Sequence, residues 1–177
     1  MNKSANFYEL NPNLILSVAE KNGYRVSGEL IQLNSYENRV FDVKLEESAS
    51  VIAKFYRPQR WSLETLNDEH SFIQELASDG ISVAEARNLL TPAVSEFKTV
   101  GEINGIYFSF FNKVRGRMLQ ELNPPHFKKL GRWLARLHNV GARKQALHRS
   151  FIGPSNDNKW EQLDQLLNLV SPEVSHR

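Results

Sequence analysis

Val51-Ile52-Ala53-Lys54-Phe55-Tyr56 is an apolar run broken by a single cation. It has the length and β-branched or aromatic content of a strand. Alternation places Val51, Ala53 and Phe55 on one face and Ile52, Lys54 and Tyr56 on the other, so Lys54 shares its side with large apolar neighbours. Taken alone, such a lysine reads as an edge-strand residue whose ammonium snorkels into solvent.

Downstream, Ser62 is placed to cap a helix that runs through Ala77 and stops at Asp79-Gly80, with Leu63, Leu66, Ile73 and Leu76 forming its apolar face. Glu69 falls three residues after Leu66 and four before Ile73, on the apolar stripe itself. A carboxylate buried there unpaired would cost several kcal/mol, on the order of the effective desolvation penalty of a buried ion, and so calls for a nearby cation. A boundary glutamate bending out to water satisfies the same spacing.

Upstream, residues 28–33 and 39–45 are two further strand-like runs, which with 51–56 predict an antiparallel meander. Asn11-Pro12 caps a short lead-in helix with Leu14, Ile15, Val18 and Ala19 on its apolar face, ended by Gly23. The link between the first two strands, Leu33-Asn34-Ser35-Tyr36-Glu37-Asn38-Arg39-Val40, is rich in side chains and amides that can turn toward an anion. It has no glycine and matches neither a Walker loop nor the usual protein-kinase loop, and a plain Asn/Ser hairpin turn explains it equally well. Residues 97–100 and 106–111 flank Asn104-Gly105, the strongest hairpin signal in the chain. After Val114-Arg115-Gly116-Arg117 the pattern turns helical, with Asn123 as cap, Pro124 at the first helical position, and Leu130, Leu134 and Leu137 on one face until Gly141. A last amphipathic segment, 159–170, carries Trp160, Leu163, Leu166, Leu167 and Val170.

The order of parts is more telling than any one of them. A loop between strands one and two, a lysine on strand three, a glutamate on the following helix and a hairpin leading to a linker are the components of a kinase nucleotide-binding lobe. In that arrangement Lys54 neutralises nucleotide phosphates, Glu69 holds Lys54 extended, Ser35 with Asn34 and Tyr36 caps the phosphates, and the linker Phe111-Asn112-Lys113-Val114 offers backbone hydrogen bonds to adenine.

At these residues the chain resembles the aminoglycoside phosphotransferase-like and choline kinase-like family of kinases. The resemblance runs over most of the chain. It rests on the 33–40 stretch, on Lys54-Phe55-Tyr56-Arg57-Pro58 with Trp61, on Glu69-His70, and on Gly131-Arg132 with Leu134, His138, Gly141, Arg143 and Lys144. It implies an ATP-dependent serine/threonine protein kinase on a bilobal fold, with Ser35 contacting nucleotide, Lys54 pairing the phosphates, Glu69 holding Lys54, and a protein substrate. It also implies Mg2+ held by a His-Gly-Asp-x-His-x-x-Asn loop and a later aspartate, and neither sequence is present. Asp157 and Asp164 lack the surrounding residues, so the chain by itself is expected to bind without transferring phosphate.

The resulting expectation is an α+β chain: a kinase-like N-lobe over residues 1–110, a hinge over 111–115, and the first helices of an incomplete C-lobe over 116–177, with the chain a fragment of a longer protein. The exposed faces of those helices would then favour self-association. A length of 177 residues and 41% hydrophobic content support a real core. The absence of cysteine excludes disulfides and thiolate chemistry and suits a cytoplasmic setting. No run approaches the ~20 apolar residues of a membrane span. The net charge of +2 conceals ten Lys or Arg against one acid over residues 113–149. That stretch keeps a basic nucleic-acid binder open as an alternative, although no recognition motif accompanies it. His138, beside the stripe of Leu134 and Leu137, reads as a packed side chain, and Trp133 and Trp160 as core or interface residues. No metal site is expected from the histidine spacing.

Overall fold

The computed structural model describes residues 7, 10–47, 49–91, 94, 96–116 and 121–150. The segment expected to be helical over 159–170, with Trp160, Leu163 and Leu167, lies outside them. Met1–Leu147 form one unit and His148–Arg177 a second; every element below belongs to the first.

The lead-in helix α1 spans Pro12–Lys21, and the Asn11 side chain accepts from the Leu14 amide as its N-cap. Strands β1 (Val26–Leu33), β2 (Arg39–Leu45) and β3 (Ser50–Phe55) follow as the expected antiparallel meander. Helix α2 (Leu63–Ser78) has Ser62 as its N-cap. The β4 (Gly101–Ile103) and β5 (Ile106–Asn112) hairpin then completes one five-stranded sheet in the order β1-β2-β3-β5-β4. Helix α3 (Pro124–Gly141) is capped by a reciprocal Asn123–His126 box.

Two local details sharpen the reading. β1 begins at Val26, two residues before the expected start, because Gly28 sits at φ +87° where the register with β2 shifts; the bulge hides the strand's first turn from a simple alternation count. The run 97–100, expected as a strand, is not one. Lys98 adopts φ +55°, and the carbonyls of Lys98 and Val100 accept from Leu89 and Val94 instead of from β5. The strand starts at Gly101, and the turn is where the sequence places it, with Asn104 at φ +52° and Gly105 at φ +76°, the pair of positive angles that a tight two-residue hairpin requires.

The two faces of β3 go to different partners. Val51, Ala53 and Phe55 are buried against Ile15, Val18 and Ala19 of α1 in the main core, with Phe41, Val43, Phe108 and Phe110 alongside. The opposite face meets α2, where Tyr56, Leu66 and Val100 form a second cluster. A third cluster, Leu76, Ile81 and Val140, joins α2 to α3. Elsewhere on α3 the expected packing is not seen: Leu130, Trp133 and Leu134 are exposed, and so is His138. Among the described residues, the α3 stripe packs into a core cluster at its end, through Leu137 and Val140.

Candidate functional site

Lys54 and Glu69 meet. The alternation of β3 directs Lys54 toward α2, and the helical stripe of α2 directs Glu69 back toward the sheet. Lys54 Nζ donates to Glu69 Oε1 at 2.8 Å. The lysine is further held over the Tyr56 ring, 4.5 Å from its centroid, and 5.8 Å from that of Phe111, so its charge faces two aromatic clouds as well as a carboxylate. With about a quarter of each side chain exposed, 22% and 27%, the ammonium is oriented but still reachable from solvent. Both alternatives open from the sequence, a snorkelling lysine and a glutamate bent into water, are thereby replaced by one ion pair.

The 33–40 link is ordered by its own contacts. Ser35 Oγ donates to the Asn38 carbonyl at 2.5 Å. Asn38 Oδ1 accepts from the Arg57 amide, and Glu37 pairs with Arg60 at 2.7 Å. The loop is thus tied to the turn after β3, the same strand that carries Lys54. Asn34 and Tyr36 are exposed, and the Tyr36 side chain touches nothing that would bury it. In this arrangement the exposed Ser35 hydroxyl gives its proton to closing the turn.

The linker begins later than expected. Phe111 and Asn112 are still strand, paired with Ile52 and Val51 of β3, and Ala86 bridges the other side of Phe111. Phe111 is buried. Lys113 is the first residue beyond β5, and its side chain reaches Asp42 Oδ2 at 2.6 Å. Lys44 approaches the same oxygen at 3.0 Å. Burial by itself raises the Asp42 carboxyl, but hydrogen bonds from Lys113, Lys44 and Ser50 outweigh it and hold the group below the usual carboxylate range.

Sequence reasoning missed both Asp42 and the role of His70. His70, next to Glu69 on α2, is buried between Tyr56 Oη at 2.8 Å and Thr99 Oγ1 at 2.7 Å. Desolvation lowers its pKa to about 4, with Glu69 opposing and Lys54 assisting. A neutral imidazole therefore bolts α2 to the end of β3 and to the 99–100 segment. The sequence signals were Tyr56, directly after β3, and His70 on the predicted helix, both within the stretches that carry the family resemblance. Among the described residues no group of three metal-ligating side chains converges.

Comparison with known proteins places this geometry. Residues 29–174 match the model of the phosphotransferase enzyme family. Stress response kinase A of Shigella flexneri is 37% identical over 154 residues, which is 86% of this chain and 45% of that protein; the Escherichia coli K12 protein of the same name is 36% identical over the same span. Serine/threonine protein kinase RdoA of Salmonella typhimurium is 34% identical. The chain spans about half the length of these curated relatives. Among solved structures, amicoumacin kinase hAmiN in complex with AMP-PNP, Ca2+ and Ami superposes with a TM-score of 0.69 at 20% identity, covering 92% of this chain and 55% of that one. A microcompartment-associated aminopropanol kinase gives 0.61 at 22% identity, covering 80% and 45%. These likenesses carry the fold, a kinase-like N-lobe with its five-stranded antiparallel sheet. The family match covers the sheet from β1 onward together with Lys54 and Glu69: the chain belongs to the phosphotransferase enzyme family.

Proposed function

We propose that this chain is the ATP-binding portion of a serine/threonine protein kinase, in which Lys54 receives the nucleotide phosphates and Glu69 keeps Lys54 extended toward them. The observation that carries the reading is the 2.8 Å Lys54–Glu69 pair spanning β3 and α2. A cation held at a fixed position by a carboxylate, and still partly exposed, is suited to a polyanion: its second and third N–H groups remain for phosphate oxygens. The residues fit the triphosphate in charge, and the side chains of Ile31 and Ile52, on either side of Asp42 on the same face of the sheet, offer apolar surface to a base. The protein substrate is proposed from the relatives that carry the name of a serine/threonine kinase, and the nucleotide from a structural neighbour solved with AMP-PNP.

Bound nucleotide would draw Mg2+ with it in the intact family, supplying charge to the transferring phosphoryl group. The sequence contains no His-Gly-Asp-x-His-x-x-Asn loop to hold it. The 177 residues by themselves are therefore proposed to bind ATP without transferring its phosphate. A cytoplasmic setting accompanies this reading.

Isothermal titration of ATP into the wild-type chain and into Lys54→Ala tests the site. Removing one charge-assisted contact to phosphate is expected to weaken binding about 10- to 100-fold. Glu69→Gln, which leaves the ammonium in place but loosens it, should weaken binding by less. Equal affinity of wild type and Lys54→Ala would remove Lys54 from the site and the reading with it.

A further inference from the structure

Lys113 stands just beyond β5, while Asp42 lies two strands away on β2. The register shows how they meet. Asp42 is paired with Ile52 and Ile52 with Phe111, so these side chains share one row on the sheet face that carries Lys54. Ile31 of β1 extends the row. Neighbouring strands are ~4.8 Å apart, so a lysine leaving β5 reaches β2 only by laying its stem past the strand of Ile52. It therefore crosses the end of the row that faces the start of the linker.

The pair is also chemically unusual, because β2 is an inner strand whose centre is buried. The Asp42 side chain is 5% exposed and takes both Lys113 and Lys44 on Oδ2. Oδ1 is buried with no hydrogen-bond partner among the described residues. A buried carboxylate with one oxygen unsatisfied, paired to an exposed lysine, is a poor source of stability compared with apolar packing, and the best-attested use of such pairing is to fix one arrangement against alternatives. Here the arrangement fixed is the position of the first linker residue relative to the row of Ile31 and Ile52.

We propose that Asp42 and Lys113 form a strap that seats the linker on the sheet and so positions the base of a bound nucleotide, leaving its phosphates to Lys54. The proposal rests on the nucleotide-binding reading above. It assigns Asp42 and Lys113 as positioning residues, acting through the linker backbone.

The test separates base from phosphate. ATP and inorganic tripolyphosphate are titrated into the full chain as wild type, Lys113→Met, Lys113→Arg, Asp42→Asn and Lys54→Ala, each first checked for a cooperative melt. Lys113→Met and Asp42→Asn should weaken ATP about 3- to 10-fold, the worth of one well-placed hydrogen bond, and leave tripolyphosphate unchanged. Lys113→Arg should retain ATP affinity. Amide exchange at residues 112–114, read on the same proteins without ligand, should speed up in Lys113→Met and Asp42→Asn. Parallel weakening of both ligands, no weakening of either, or linker exchange equal to wild type overturns the strap. Lys54→Ala without effect on either ligand instead overturns the nucleotide site, a separate result.

Discussion

His70 is a titratable group kept neutral by its surroundings, and that gives the site a measurable pH signature. Its pKa falls to about 4 in the fold, chiefly through desolvation, against ~6.5 in an unfolded chain. Between those values the unfolded state binds the extra proton, so stability is full above pH 6.5 and declines as the pH falls toward 4. At pH 5 the expected loss from this one group is ~2 kcal/mol relative to pH 7.5. Urea melts of wild type and His70→Gln at both pH values check it: glutamine retains a donor and an acceptor for Tyr56 and Thr99, so the wild type should lose about 2 kcal/mol more than the variant on acidification. An equal loss would mean that another group dominates. What could be read from sequence at this scale divides by distance along the chain. Lys54 and Glu69 were legible because each is fixed by a local period, two in the strand and 3.6 in the helix. The Asp42–Lys113 and His70–Thr99 contacts join residues 71 and 29 positions apart, and no local pattern announces them. Ser35 was legible as a turn residue, but its bond back to Asn38 depends on loop geometry that composition does not specify.

At the scale of elements, α2 carries Glu69 and is held at both ends. Its N-terminal half is bolted by His70, and its C-terminus is clasped by α3 and the residues after it. Arg143 makes a two-pronged contact with Asp79, at 2.6 and 2.5 Å. Arg136 donates to the carbonyls of Asp79 and Gly80, and Lys144 reaches Glu75 at 3.0 Å. These cations sit at the negative end of the α2 dipole, on two carboxylates and on the carbonyls of the two residues just past the helix. The Arg143 hydrogen bonds are also the main cause of the lowered Asp79 carboxyl pKa. Exposed pairs of this kind contribute little singly, so the expected effect is local. In Arg143→Ala, amide exchange should quicken over the last turn of α2, and Lys144→Ala, which breaks a single-point contact, should do so less. Raising the salt concentration should narrow the difference between wild type and Arg143→Ala by screening the same contact. Unchanged exchange in Arg143→Ala would mean that the Leu76–Ile81–Val140 cluster alone holds the helix end. Helix starts were legible to the residue because Asn11, Ser62 and Asn123 are strong caps. β4 was not, because a positive φ at Lys98 interrupts a run whose composition is that of a strand.

For the molecule as a whole, the decisive feature is how α3 distributes its apolar residues. The helix was expected to bury Leu130, Leu134 and Leu137 on one face; the structure buries Val140 fully and Leu137 in part, and leaves Phe127, Leu130, Trp133 and Leu134 exposed. Periodicity identified the stripe correctly and could not say which neighbour would cover it, since that neighbour is a matter of tertiary packing. Side chains at these spacings line up along one side of a helix, and a contiguous apolar surface of that kind favours contact with a second apolar surface over contact with water. Of the cations in and after α3, Arg136, Arg143 and Lys144 are engaged at the end of α2, while Lys128, Lys129 and Arg132 lie on the helix itself. The 177-residue chain is therefore expected to self-associate through α3. Sedimentation velocity over a hundredfold range of concentration should show the average mass rising with concentration. The double variant Trp133→Gln, Leu134→Glu should stay monomeric over the same range while keeping the wild-type melting transition, since neither side chain belongs to the core clusters. Added salt separates the causes: apolar association strengthens or holds with salt, whereas association through the remaining basic residues weakens. A wild-type chain that sediments as a monomer at every concentration would show that the face tolerates water, and would remove α3 as an association surface.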